Sequence, residues 1–246
     1  MHPEDRLASV IVPTLNERLS EPLSKLDAYL QSIEGWEFEI LVVDDSGDEH
    51  RALMRDEIDR RPSGGRVRTR FIEGHRTGKG GAVRRGVENA AGSVIFIVDC
   101  DLPVPLEQFR VFLKLIEEDG ADAVIAERPS MHSVGRPLRI ALSYGLLVMQ
   151  RVLVFQSARF GDTQCGFKAF RAELLRAIAA RQVVDGGMFD VEYLYAAVRR
   201  GAKVVTVPVE PNAEVRASRV NLWSCLRRDP IDVVRIKARG LLGRYA

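Results

Sequence analysis

The sequence predicts an α/β fold: a single, mainly parallel twisted sheet with helices on both faces, followed by a short basic helical tail. Two observations lead to this prediction. Apolar runs of strand length alternate with segments of helical spacing, and polar side chains follow several of the runs. With 246 residues and 46% hydrophobic content, the chain is long enough to bury a large core.

The predicted elements follow one another regularly along the chain. Valine-rich and isoleucine-rich runs predict strands at residues 8–13, 37–43, 67–72, 93–98, 121–126 and 203–209. Apolar residues three and four apart predict helices at residues 23–33, 50–60, 80–91, 106–118 and 189–200. We therefore expect one domain over residues 1–210. A basic extension, residues 211–246, is expected to pack on or near its active site.

Charge and cysteine content exclude several classes of protein. The 36 basic and 34 acidic residues nearly balance, so generic nucleic-acid binding is not expected. Three cysteines without metal-ligand spacing argue against a disulfide framework and predict a reducing cytoplasm. The first residues lack the apolar region of a signal peptide, and no run approaches the roughly 20 apolar residues of a membrane span.

The tripeptide Asp99-Cys100-Asp101 directly follows a strand-like run, and two other strand ends also carry acids or amides. Parallel strands end at one edge of a sheet, where open α/β folds bind ligands. Mg2+ and Mn2+ prefer such hard oxygen ligands, often one or two carboxylates together with substrate phosphates. Asp99 and Asp101 are therefore the candidate ligands of a divalent cation.

Two common nucleotide-binding folds do not match. The first strand is followed by Pro13-Thr-Leu-Asn16 and not by the glycine-rich fingerprint of a dinucleotide site. The segment that begins at Gly74 is one residue short of a P-loop and has Gly80 where the metal-binding hydroxyl should stand. Because glycines open the helix at Gly78-Lys79-Gly80-Gly81, free amides there, together with Lys79, could approach an anion. A helix start with a solvated lysine is the alternative.

Six segments, in order, resemble glycosyltransferase family 2, the inverting GT-A enzymes, and especially its polyprenyl-phosphate or dolichyl-phosphate sugar transferase branch. They span residues 9–210 and read SVIVPTLNE, EILVVDDSGDE, GKGGAVRRGVENAAG, VIFIVDCDLP, GDTQCGFKAFR and FDVEYLYAAVRRGAKVVTVPVE. The form DTQCGFK is closer to the glucosyl-transferring relatives. In mannosyl-transferring relatives the position of Pro103 often carries a side chain that can help the metal.

The resemblance implies a binding site for a nucleoside-diphosphate sugar. Asp99 and Asp101 would place Mg2+ or Mn2+ between the two phosphates of the donor, with Asp101 essential for turnover. Cys100 lies between them and is assigned no chemistry. Arg216 and Ser218 resemble a loop that closes over the donor phosphates. The residues implied to line the base and ribose are Pro13, Leu15, Glu17, Asp44 and Asp45.

The acceptor side is implied by an acid-free stretch between Glu127 and Asp162 that holds five arginines. By resemblance, Arg128 and Arg139 would bind an acceptor phosphate, with Lys168 also positioning it. Asp162 would be the general base for a hydroxyl acceptor, whereas an anionic phosphate needs no strong base and leaves Asp162 to orient the loop or sugar.

The same stretch places four apolar residues, at positions 142, 146, 149 and 153, on one helical face. Together with the basic tail, this helix suggests peripheral attachment to an anionic membrane surface at the inner face of the membrane. An ordinary amphipathic core helix remains the alternative.

Three functions follow from these residues. The leading hypothesis is inverting, metal-dependent transfer of a hexose from a nucleoside-diphosphate sugar to a polyprenyl phosphate of dolichyl type. The second uses the same donor with a soluble hydroxyl acceptor. The third, an inactive sugar-nucleotide-binding protein, is disfavoured because Asp99, Asp101 and Asp162 are all retained.

Overall fold

The structure, a computed structural model, describes residues 6–61, 64–128, 154–155, 160–212 and 222–245. Seven strands and seven helices lie in these parts of the chain. The strands are β1 (Leu7–Thr14), β2 (Glu37–Asp44), β3 (Val67–Glu73), β4 (Val94–Val98), β5 (Ala123–Glu127), β6 (Phe167–Arg171) and β7 (Val204–Pro208). The helices are α1 (Ser20–Gln31), α2 (Asp48–Asp59), α3 (Lys79–Asn89), α4 (Gln108–Glu117), α5 (Ala172–Ala179), α6 (Phe189–Arg199) and α7 (Leu222–Leu241).

The strands form one sheet in the order β3-β2-β1-β4-β6-β5-β7. Strand β6 runs antiparallel to both of its neighbours, and the other pairs are parallel. The predicted single, mainly parallel sheet is therefore confirmed. Strand β6 and helix α5 were not predicted, because β6 carries Lys168 and Arg171 among its five residues and has no continuous apolar run.

Helices cover both faces of the sheet, as the sequence predicts. Successive side chains of a strand point to opposite faces, so Ile11 joins one core while Val10 and Val12 join the other. Residues of α3, α5 and α6 pack in the first core, and residues of α1, α2 and α4 pack in the second. The two cores hold the sheet rigidly, and its edges can therefore present side chains at fixed positions.

The tail packs on the same core as the sheet. Val233 and Ile236 of α7, and Tyr245 beyond it, are buried in the cluster that contains Phe189 of α6. The opposite side of α7 is exposed, including Ile231 and Val234. In the described parts of the chain, no helix has both the length and the apolar character of a membrane span.

Candidate active site

The carboxyl ends of β1, β2 and β4 bring the sequence-predicted acids to one edge of the sheet. Thr14 at the end of β1 lies in register with Asp44 at the end of β2. Val98, the last residue of β4, pairs with Phe167 at the start of the antiparallel β6. The segment around residues 162–168 therefore enters at the same edge as Asp99, as expected for parts of one site.

Asp44 and Asp45 are both buried at this edge but have different environments. The Asp44 carboxylate accepts a hydrogen bond from the hydroxyl of Ser46, while its Oδ2 atom has no partner among the described residues. The Thr14 hydroxyl beside it is also buried without a partner. These unpaired groups suit a ligand with hydrogen-bond donors and acceptors, because a buried polar atom without a partner is costly.

Asp45, in contrast, shapes the backbone. Its carboxylate accepts hydrogen bonds from the backbone N–H of Arg76, at 2.6 Å, and of Gly78, at 2.8 Å. It thereby holds the turn that leads into α3. Of the other residues expected to line the base, Pro13 is buried within β1, Glu17 is half-buried, and the side chain of Leu15 is 58% exposed. An exposed leucine next to orphaned polar atoms is suited to contact an apolar ring face.

Asp99 is held tightly just after β4. Its backbone N–H donates to the carbonyl of Gly166 at 2.8 Å, and its Oδ1 atom lies 2.6 Å from Nζ of Lys79. Gly166 leaves no room beside the carboxylate, since an added Cβ would lie 2.1 Å from Oδ2. Burial favours the neutral acid, but the positive charges of Lys79, Lys168 and Arg128 together outweigh it and lower the pKa of Asp99.

Asp101 is exposed at the opening of the site. Partial burial raises the pKa of Asp101, and the negative charge of Asp99 raises it further. The two carboxylates therefore repel each other, and a cation would relieve that repulsion. Burial and the neighbouring acids raise the pKa of the Cys100 thiol to about 12, so it stays protonated near neutral pH and has no role as a nucleophile.

The prediction that free amides at the start of α3 bind an anion is wrong. The backbone N–H groups of Gly80 and Gly81 donate to the carbonyl of Asp185, at 2.9 and 3.3 Å. The glycines are required by packing, because an added Cβ on Gly80 would lie 2.7 Å from the Val184 carbonyl oxygen. Amides that are already paired are not available to a phosphate. Lys79 remains as the charged group of this segment, in its pair with Asp99.

Arg128 and Asp162 form the second ion pair at this edge. Nε of Arg128 donates to Oδ2 of Asp162 at 2.6 Å, and Oδ1 accepts the backbone N–H of Gln164 at 3.0 Å. Both carboxylate oxygens of Asp162 are thus engaged in holding the loop and the arginine. The carboxylate therefore orients the loop and the arginine.

Lys168 does not face the opening, and the expected direct role in acceptor binding needs correction. Its side chain is 1% exposed, and Nζ donates to the carbonyl of Cys165 at 2.5 Å and to Oδ1 of Asp190 at 2.6 Å. An ammonium group enclosed in this way cannot contact an acceptor without leaving its buried partner. Lys168 instead fixes the segment 162–168 against α6.

Asp190 was not predicted as a site residue, although it lies within the motif FDVEYLY. The available signal was an acid at a position of α6 whose neighbours are apolar, since a charged residue on a buried helix face requires a partner. Three predicted site residues, Arg139, Arg216 and Ser218, lie outside the described residues, as does most of the expected acceptor segment.

Comparison with known proteins gives matches in sequence and in structure. The model of "Glycosyl transferase family 2" matches residues 9–179. A dolichyl-phosphate beta-glucosyltransferase of Dictyostelium discoideum is 32% identical, covering 96% of this chain and 75% of that protein. The human dolichyl-phosphate beta-glucosyltransferase is 28% identical, covering 96% of this chain and 76% of that protein.

Solved structures show the same fold at low sequence identity. A glucosyl-3-phosphoglycerate synthase from Mycobacterium tuberculosis, in complex with Mn2+, uridine-diphosphate-glucose and phosphoglyceric acid, superposes with a TM-score of 0.65 and 20% identity. The match covers 98% of this chain and 80% of that one. The superposition shows that the two chains share one fold.

Proposed function

This chain belongs to glycosyl transferase family 2, and we propose that it transfers glucose from uridine-diphosphate-glucose to a polyprenyl phosphate of dolichyl type. Its curated relatives are named for glucosyl transfer to dolichyl phosphate. A neighbouring structure holds Mn2+ and uridine-diphosphate-glucose. The observation that carries the proposal is the grouping of Asp99, Asp101 and Lys79 with the Arg128–Asp162 pair at one sheet edge.

On the donor side, Asp44 and Thr14 supply the unpaired polar atoms for the nucleoside, with Leu15 against its ring. The chemistry needs a group that neutralises the departing diphosphate. Lys79 can supply one positive charge to it, since the ammonium lies at the site and is partly exposed. Asp45 contributes indirectly by fixing the turn before Lys79.

The carboxylates fit Mg2+ or Mn2+. Asp101 offers an exposed oxygen donor, and Asp99 lies close enough for its charge to raise the Asp101 pKa. In the described residues no cluster of three or more histidine, cysteine or acidic side chains surrounds a common point. The two acids would therefore hold the ion together with oxygens of the donor, and Pro103 adds no ligand. When bound, the ion would stabilise the negative charge of the leaving diphosphate.

The Arg128–Asp162 pair favours a phosphate as the acceptor. A general base must be oriented toward the proton that it removes, whereas the hydrogen bonds from Arg128 and from the backbone of Gln164 orient the Asp162 carboxylate toward the arginine and its own loop. A phosphate monoester is already anionic near neutral pH, so no base is needed for its attack. Arg128 would hold this anion, and direct displacement at the anomeric carbon would invert its configuration.

The exposed face of α7 supports attachment to an anionic membrane surface on the cytoplasmic side. Ile231, Val234 and Leu241 are between 59% and 74% exposed, and the exposed Arg228 and Arg235 lie on the same side at helical spacing. A basic and apolar face of this kind can lie in a lipid interface without crossing it. Such attachment would bring the enzyme to a lipid-linked acceptor.

Sedimentation with liposomes tests the membrane part. Vesicles that contain anionic lipid should pellet the protein at low salt, and high salt should release it. The double variant Ile231→Glu, Val234→Glu should remain in the supernatant, while a neutral-lipid control should pellet neither protein. If the unaltered protein stays in solution with anionic vesicles at low salt, the membrane proposal is wrong.

A radiolabel assay tests the reaction itself. Labelled uridine-diphosphate-glucose and guanosine-diphosphate-mannose are offered with Mn2+, and with either polyprenyl phosphate or soluble hydroxyl acceptors. We expect label from the glucose donor to move into the organic phase only when polyprenyl phosphate is present. Label in a soluble product would support the hydroxyl acceptor instead. Donor binding without turnover on any acceptor would indicate an inactive sugar-nucleotide-binding protein.

A further inference from the structure

Glu192 in the middle of α6 is a buried carboxylate that the proposed reaction does not use. It is fully buried, and it accepts hydrogen bonds from the backbone N–H of Val183 and of Val184, both at 2.9 Å. A third donor is the hydroxyl of Tyr245, 2.6 Å from Oε1. Burial raises the pKa of Glu192, while the three donors oppose that rise. Glu192 thus joins the tail to the chain segment before α6.

That segment, residues 180–188, is here called the α5–α6 loop. Its Asp185 carbonyl accepts the N–H groups of Gly80 and Gly81 at the start of α3. The Asp185 carboxylate also lies 3.2 Å from NH2 of Arg84. Because Gly80 and Gly81 have no Cβ atoms, the start of α3 lies directly against the loop backbone. A shift of the loop should therefore shift the start of α3 as well. Lys79 is the residue immediately before Gly80.

Tyr245 is itself held by the tail. Its side chain is 1% exposed, and its ring packs edge-on against the ring of Tyr195, with centroids 6.0 Å apart. The guanidinium of Arg239 lies 5.8 Å from the centre of the Tyr245 ring. The chain that follows helix α7 therefore delivers one hydroxyl group to Oε1 of Glu192, which also accepts the backbone N–H of Val183.

We infer that Tyr245 is a positioning residue: through Glu192 and the α5–α6 loop it sets the start of α3, and with it Lys79 beside Asp99. The contacts run from the tail to the donor site through hydrogen bonds at Glu192, the Asp185 carbonyl and Asp99, which are joined by the backbone from Val184 to Asp185 and from Gly80 to Lys79. Loss of the hydroxyl leaves the buried Glu192 carboxylate with fewer donors, and the loop relaxes around it. The consequence for donor binding rests on the proposed function, whereas the consequence for the loop does not.

Hydrogen exchange tests the positioning without any substrate. In Tyr245→Phe, we expect the amides of Gly80 and Gly81 to exchange about tenfold faster, with the rest of the sheet unchanged. Tyr195→Phe is the matched control, because it removes a hydroxyl from the same interface and leaves the bond between Tyr245 and Glu192 intact. Unchanged exchange at the two glycines, or an equal rise in the control, would overturn the inference.

Titration with Mn2+ and uridine diphosphate measures the functional consequence. We expect Tyr245→Phe to weaken binding about fivefold and to raise the donor KM similarly, with kcat within about twofold. Glu192→Gln, which keeps the side-chain volume but only one acceptor oxygen, should reproduce this pattern. Equal affinity in all three proteins would refute the coupling. If the unaltered protein binds no uridine diphosphate, the donor proposal fails, and the exchange experiment alone decides the role of Tyr245.

Discussion

Replacement of Gly166 by alanine should disable the site while the fold is kept. The new Cβ would lie 2.1 Å from Oδ2 of Asp99, and ordinary contact begins near 3.4 Å. The carboxylate must therefore move by about 1.3 Å, because the backbone bond between Asp99 and Gly166 prevents separation of the two segments. A movement of this size disturbs the contact between Oδ1 and Nζ of Lys79, which are now 2.6 Å apart.

The expected loss follows from that displacement. Misplacement of a reacting or binding group by about 1 Å costs about 100-fold in rate, so kcat/KM should fall about 100-fold, or ~2.7 kcal/mol. The new atom would also lie 2.7 Å from Cβ of Asp99, so the backbone must shift as well, and the stability cost should fall within the roughly 1–3 kcal/mol typical of overpacking.

Initial rates of glucosyl transfer and thermal unfolding together provide the assay. Gly64→Ala is the matched control, since no atom lies within 4 Å of its added Cβ and it is not at this edge of the sheet. The reasoning is refuted if folded Gly166→Ala keeps full activity, or if the control loses as much. Loss of activity together with complete unfolding would also contradict the expected modest stability cost.

Three further predictions concern the charged groups. Asp101→Asn should lower turnover about 1000-fold without lowering the melting temperature, because the fold already disfavours the charge of Asp101, and retained turnover would refute its role. Lys168→Met should lower the free energy of unfolding in urea by about 3–5 kcal/mol, because it leaves the Asp190 charge unpaired. The double variant Lys168→Met, Asp190→Leu should recover most of this stability, and no recovery would contradict the pairing. Burial raises the pKa of Glu192 above 4.5, so the folded chain binds its proton more tightly than the unfolded chain. This contribution to stability is present at low pH and is lost as pH rises from 4.5 through the raised pKa. Glu192→Gln should flatten this fall in melting temperature, and identical profiles would exclude Glu192 as its source.

Much of the fold could be predicted from the sequence because strands and helices follow the local pattern of apolar residues. The runs of β1, β2 and β4 stay apolar on both faces, which is what a strand covered by helices on both sides requires. Strand β6 was not predicted because Lys168 interrupts its apolar run. The lysine is tolerated inside the protein because its ammonium pairs with Asp190, 22 residues later in the sequence, and donates to the Cys165 carbonyl.

The site was predicted in part for the same reason. Asp44 and Asp99 follow apolar runs, so their arrival at one edge follows from strand direction. Their partners do not follow from the sequence. Asp99 and Lys79 are separated by 20 residues in the sequence. Asp99 pairs with the Lys79 side chain, and the position of Lys79 depends on how the α5–α6 loop packs against Gly80.

The sequence by itself determined the family, the sheet with its two helical layers, and the edge at which acids accumulate, because hydrophobic period and strand direction are encoded locally. Only the tertiary structure decided which charges pair. Lys168 pairs with the buried Asp190, Asp162 pairs with Arg128, and the first amides of α3 donate to the Asp185 carbonyl. A charge or amide takes the partner that packing places within about 3 Å, and packing depends on residues far apart in the chain.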